Sequence, residues 1–209
     1  MTLYFATEDT KPHAIDYYFA TISPWAYLGH DRFVAIAQKH GATVAVKPVN
    51  FGDVFPASGG LPLSKRAPQR QAYRLVELRR WSKFLNKPMN VQPRFFPANG
   101  DLAACWILAA NELGGAQGLM LAGAVVRAIW EQERDIADAA TLEAIAQEGG
   151  LPVAALAVRV QAPEIAAKYA ALTQEAIARG VFGAPTYVVE DELFWGQDRL
   201  DFLDSKMSK

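Results

Sequence analysis

Three short stretches carry residues that could do chemistry. In "ISPWAYLG", Ser23 stands where the apolar run "IDYYFA" gives way to a helical pattern, and Pro24 follows it. Serine is a favoured N-cap. Proline is a favoured first helical residue, because the amide it lacks would have no intrahelical partner there. The first-turn amides and the helix dipole make that end a place for an anion, and a hydroxyl adds a donor. A thiolate or carboxylate is the fitting guest, and an ordinary capped helix is the plain alternative. In "GVFGAPTYVV" a proline enters a strand, which suits a cis Ala184–Pro185 bond. Backbone beside it could then pair, strand fashion, with an extended ligand; an ordinary trans proline is the alternative. In "FWGQDRL", Gly196 permits a tight turn, and Gln197 and Asp198 open a helix. Asp198 either caps amides or takes an ammonium group while those amides take a carboxylate.

The elements between these stretches must position them. Residues 14–20 are rich in strand formers, a helix is expected over 24–40 with Gly41 closing it, and "ATVAVKPVNF" reads as a second strand. Strand, helix and strand at this spacing form a right-handed βαβ unit with parallel strands. "FGDVFPASGGLPLSKRAP" reads as a loop. Helices are expected over 69–84, 101–113, 116–131, 140–148, 152–160 and 163–179, with an extended, proline-containing stretch before the second of them. The C-terminal part reads as a strand, a tight turn at "EDE", a strand and a closing helix from Gln197. The expected fold is α/β: a thioredoxin-like domain from residues 14–52 and 163–205, a helical insertion over 53–162, and an N-terminal extension over 1–13.

On such a sheet the three stretches converge on one cleft. They then describe a site for a peptide-like thiol, held by charge at one end, paired along its backbone, with sulfur at Ser23. Glutathione has those features.

The motifs "YYFATISPWAYLG", "GVFGAPTYVV" and "FWGQDRLDFL", with "YRLVELRRW" between them, resemble the 2-hydroxychromene-2-carboxylate isomerases. These are a DsbA-like branch of the thioredoxin superfamily, similar to kappa-class glutathione transferases. The resemblance spans about residues 14–205. It implies a glutathione-dependent cis-trans isomerase of aromatic-compound catabolism, and a homodimer. Its reaction turns the chromene carboxylate into trans-o-hydroxybenzylidenepyruvate. The resemblance places Ser23, followed by Pro24 and Trp25, at the glutathione sulfur where relatives have a redox cysteine. Ala184 and Pro185 take the backbone-pairing role, and Gln197 and Asp198 the γ-glutamyl anchor. Family members often carry valine at the position of Ala184, a change that main-chain pairing tolerates. Kappa-class relatives offer an asparagine in the loop after the second strand; "ASGGLPLSKRAP" has none, and Asn50 lies upstream.

Lys65, Arg66 and Arg70 are candidates for a positive wall over the cleft, or are solvated loop charges. Phe95, Phe96, Trp106 and Trp130 are either core or the lining of an aromatic substrate pocket. A kappa-type transferase and a non-catalytic thiol-peptide binding module are the alternative readings. Disulfide exchange is disfavoured, because Ser23-Pro24-Trp25-Ala26 stands where a Cys-x-x-Cys would be.

Of the 209 residues 51% are apolar, enough for one sizeable core, and 21 basic against 22 acidic side chains suggest no nucleic-acid partner. The single cysteine, Cys105, reads as a core thiol in a reducing, cytoplasmic setting. His13, His30 and His40 lack ligand spacing, so no metal site is expected. The apolar stretches 102–113 and 119–130 are too short and interrupted to span a membrane, and no signal peptide is read at the N-terminus.

Overall fold

The computed structural model describes residues 14–208; the expected N-terminal extension, 1–13, lies outside them. Four strands form one sheet: β1 (Ala14–Phe19), β2 (Thr43–Pro48), β3 (Thr186–Val189) and β4 (Glu192–Trp195), in the order β2-β1-β3-β4. β1 is parallel to β2 and antiparallel to β3, and β3 is antiparallel to β4. The hairpin between β3 and β4 turns at Glu190 and Asp191, both with positive φ. Aspartate is among the residues that tolerate this conformation best, which suits Asp191; Glu190 adopts it without that preference.

The helices are α1 (Pro24–Lys39), α2 (Phe51–Ser58), α3 (Pro68–Phe84), α4 (Asp101–Asn111), α5 (Gly115–Trp130), α6 (Ala139–Glu148), α7 (Val153–Val160), α8 (Pro163–Ala178) and α9 (Leu200–Met207). Gly41 follows α1 at φ +59°, the left-handed conformation that closes a helix. The segment read as a loop after the second strand instead contains α2. Asn50 caps it, its Oδ1 accepting the Gly52 amide at 2.8 Å. Phe51 and Val54, three residues apart, are buried together, which offsets the bond lost at Pro56. The second strand accordingly stops at Pro48 rather than running to Phe51.

Alternation along β1 divides the core. Ile15, Tyr17 and Phe19 join the main cluster, with Phe33 of α1, Tyr187 of β3 and Ile107, Leu121 and Leu142 of the middle helices. Tyr17 stacks on Tyr187 at 5.4 Å and on Phe19 at 4.7 Å. Tyr18 faces the other side, with Val49, Phe51, Val54, Ala176, Val181 and Val188. The main core therefore runs without a break from the sheet into α4–α6. Both apolar stretches flagged in the sequence lie in buried helices, α4 and α5. Among the described residues no helix is long and apolar enough to cross a membrane.

Candidate functional site

The strand register brings three segments to one end of the sheet. Tyr18 pairs with Thr186, and Thr186 pairs with Trp195. The exit of β1, the entry of β3 and the exit of β4 are therefore neighbours, so the turn to Ser23, the Ala184–Pro185 step and the turn at 196–198 share one edge. The Gly196 amide donates to the Pro185 carbonyl at 2.9 Å, fastening the last two directly.

Ser23 caps α1 from extended backbone, φ −76° and ψ 121°. Its Oγ accepts the Ala26 amide at 3.2 Å, and its own amide donates to the Ala20 carbonyl at 2.9 Å. The residue is 7% exposed. Among the described residues nothing accepts the hydroxyl hydrogen. The group therefore satisfies one helix amide while remaining able to donate to an anion at the same helix end. Pro24 occupies the first helical position and is buried; Trp25 is half-buried against the main core.

The Ala184–Pro185 bond is cis. Ala184 lies beyond the last β1–β3 pair and is half-buried beside the second cluster. Gln197 is buried, and its side chain is turned toward the flank of α1. The Arg32 guanidinium donates to its Oε1 at 3.4 Å and to its carbonyl at 3.3 Å. That puts the amide group beside Arg32, in the third turn of α1 rather than at the turn Ser23 caps. Asp198 is exposed and caps no helix; its carboxylate lies 3.3 Å from the Arg199 guanidinium. Lys65 ends an exposed single 3₁₀ turn, Leu63–Lys65, and makes no ion pair among the described residues. Ser23, Ala184, Pro185 and Asp198 thus come to one edge, Gln197 braces that edge from behind, and no contact ties Lys65 to them.

Two tethers tie a second patch to the Ser23 turn. Thr21 donates from Oγ1 to the Gly100 carbonyl at 3.1 Å, which anchors the segment carrying Phe96. Tyr27, in the first turn of α1, donates its hydroxyl hydrogen to the Pro88 carbonyl, and its oxygen lies 3.0 Å from the carboxylate of Glu131, directly after Trp130. Phe96 and Trp130 pack at 4.8 Å. Over both rings lies the Arg74 guanidinium, 5.2 Å from the Phe96 centroid and 5.7 Å from that of Trp130. Burial, then the Arg66 charge, lowers the pKa of Arg74 to about 10. The two aromatic residues are among the candidates the sequence offers; this arginine is not.

Two other reactive side chains do not serve the edge. Burial, then Asp101, raises the Cys105 thiol, which opposes thiolate formation. His30 is buried in the core and pushed down to about 4, chiefly by desolvation. Among the described residues no group of side chains could hold a metal ion.

Comparison with known proteins supports a common architecture. A family model described as the DSBA-like thioredoxin domain matches residues 14–208. A 2-hydroxychromene-2-carboxylate isomerase of Sphingobium xenophagum is 30% identical over 91% of this chain and 96% of its own. A solved 2-hydroxychromene-2-carboxylate isomerase superposes with a TM-score of 0.77 at 28% identity, covering 93% of this chain and 94% of that one. Glutathione S-transferase kappa 1 of Caenorhabditis elegans is 33% identical over a shorter stretch, 39% of this chain and 36% of its own.

Proposed function

The chain belongs to the DSBA-like thioredoxin family, with 2-hydroxychromene-2-carboxylate isomerases among its relatives, and on that premise we propose that it is a glutathione-dependent isomerase of 2-hydroxychromene-2-carboxylate or a closely related aromatic oxo-acid. The observation that carries the reading is the Ser23 hydroxyl, buried at the head of α1, its oxygen engaged by Ala26 and its hydrogen uncommitted among the described residues. Where a disulfide exchanger needs a cysteine nucleophile, this site offers a donor, and so suits a thiolate brought by a cofactor.

Glutathione, when bound, supplies a thiolate that adds reversibly to an alkene conjugated with a ketone, allowing rotation about that bond before elimination. The chain's task is to hold and orient. Ser23 donates to the sulfur, and the first-turn amides of α1 add positive potential that favours its anionic form. Backbone at Ala184 and Pro185 pairs with the peptide. Asp198 receives the α-ammonium group, and amides of the following turn receive the α-carboxylate. Residues 14–52 and 163–205 form the glutathione-holding part, and 53–162 the part that closes over the substrate.

Calorimetry with glutathione, together with the loss of chromene-carboxylate absorbance, tests the reading. Turnover that requires glutathione without consuming it supports an isomerase. Accumulation of a glutathione conjugate would instead favour a kappa-type transferase, a reading encouraged by the match to a protein of that name. Binding without either reaction would leave a thiol-peptide binding module.

A further inference from the structure

We propose that Arg74 receives the carboxylate of the aromatic substrate, so that substrate is held by its acid group beside half-buried Phe96 while its alkene faces the Ser23 edge. The inference deepens the isomerase reading and rests on it for the identity of the substrate, but not for the existence of the anion site.

Arg74 lies on α3, a largely exposed helix that buries Leu78 and packs Trp81 against the main core. Arg74 is half-buried, because its side chain folds down onto the two rings. Among the described residues it has no ion pair and no hydrogen bond. A guanidinium carries five N–H donors, and withdrawing it from water unpaired is costly. Two ring faces return only part of that cost. Nearby charge adds to it, since Arg66 repels Arg74. Trp130, beneath the guanidinium, is fully buried, its indole N–H unpartnered among the described residues, so Phe96 is the ring of the pair that a ligand can reach. An unpaired guanidinium beside a part-exposed ring calls for a ligand that joins a flat apolar body to acceptor oxygens. A planar aryl carboxylate matches, because its two oxygens can engage the guanidinium fork in parallel. The Thr21–Gly100 bond and the Tyr27–Glu131 contact hold this patch beside the Ser23 turn.

The probe is trans-cinnamate against trans-cinnamamide, which keeps the ring and alkene but lacks the charge. Calorimetry on the unaltered protein is expected to show cinnamate bound at least about tenfold more tightly, an advantage that shrinks as salt is raised. Arg74→Met should remove that advantage, Arg74→Lys should restore part of it, and both should bind glutathione as before. Equal binding of acid and amide by the unaltered protein would overturn the proposal. So would cinnamate affinity unchanged in a folded Arg74→Met protein. If neither variant folds, the acid-to-amide ratio and its salt dependence decide alone. The isomerase reading fails separately, on the absence of glutathione-dependent turnover in the unaltered protein.

Discussion

A methyl group placed on Gly29 would stand 2.7 Å from Gln197 Cβ and 3.2 Å from the Tyr187 hydroxyl. Helix α1 and the turn after β4 are packed with no space for a side chain between them. This contact fixes where Asp198 emerges relative to the helix that Ser23 caps. Gly29→Ala should therefore lower stability by about 1–2 kcal/mol. A gain of about 1 kcal/mol in helix preference is outweighed by overpacking against a main-chain-proximal atom. Urea denaturation measures it. A variant as stable as the parent would mean that the turn yields, and glutathione affinity should then be the quantity that falls.

Asp198→Ala should weaken glutathione binding by roughly tenfold to more than a hundredfold, because a charge-assisted bond to the ammonium group is worth about 1.5–3 kcal/mol. The carboxylate lies 3.3 Å from Arg199 but is exposed, so that ion pair costs little to exchange for a ligand. Stability should barely change. Calorimetry showing unaltered affinity would move the γ-glutamyl end elsewhere.

Much of this edge was legible in the sequence because its pieces are local. Ser23 and Pro24 announce a helix start, Gly41 its end, and "EDE" a turn that the positive φ values of Glu190 and Asp191 realise. Helix α2 was not legible. Gly52, Pro56 and Gly59 are breakers by local rule, and only burial of Phe51 and Val54 against the second cluster overrides them. Nor was Arg74. Among the arginines of "YRLVELRRW" no spacing marks which one meets Phe96 and Trp130, since those rings arrive from distant segments. Gln197 shows the same limit: its position was readable, but the direction of its side chain depends on Arg32.

His30 predicts an acid-side loss of stability. Its pKa is about 4 in the folded protein, below the ordinary 6.5, with burial the leading cause; Asp31 opposes the shift, and Lys87 and Arg127 reinforce it. The unfolded chain therefore binds more protons between these values, and stability falls as pH drops from about 6.5 to about 4. The full span amounts to about 3 kcal/mol. Asp31, itself held below its usual range, gives way only at lower pH. Thermal melts across this window should show the slope in the parent and its removal in His30→Gln. An unchanged slope in a folded variant would assign it to other groups.

Ser23→Ala separates the two jobs of this hydroxyl. As a cap, Ser23 satisfies the Ala26 amide, and its loss should cost on the order of 1 kcal/mol of stability. As a donor to a thiolate, it should matter more, and in a pH-dependent way. Without it the glutathione thiol should titrate closer to its value in water, so turnover should fall most near neutral pH and recover in part at alkaline pH. The amides of α1 remain, which leaves residual activity. Ser23→Cys is the sharper probe. A cysteine at this helix end should be acidic and should form a mixed disulfide with oxidised glutathione, detectable by mass spectrometry. The exchange balances: the cysteine thiolate attacks one sulfur, and the other glutathione leaves as thiolate. The spatial claim depends on that adduct forming faster at the introduced cysteine than at Cys105, whose thiol is raised by burial. Equal labelling of both, together with an unchanged rate and pH profile in Ser23→Ala, would reduce Ser23 to a helix cap.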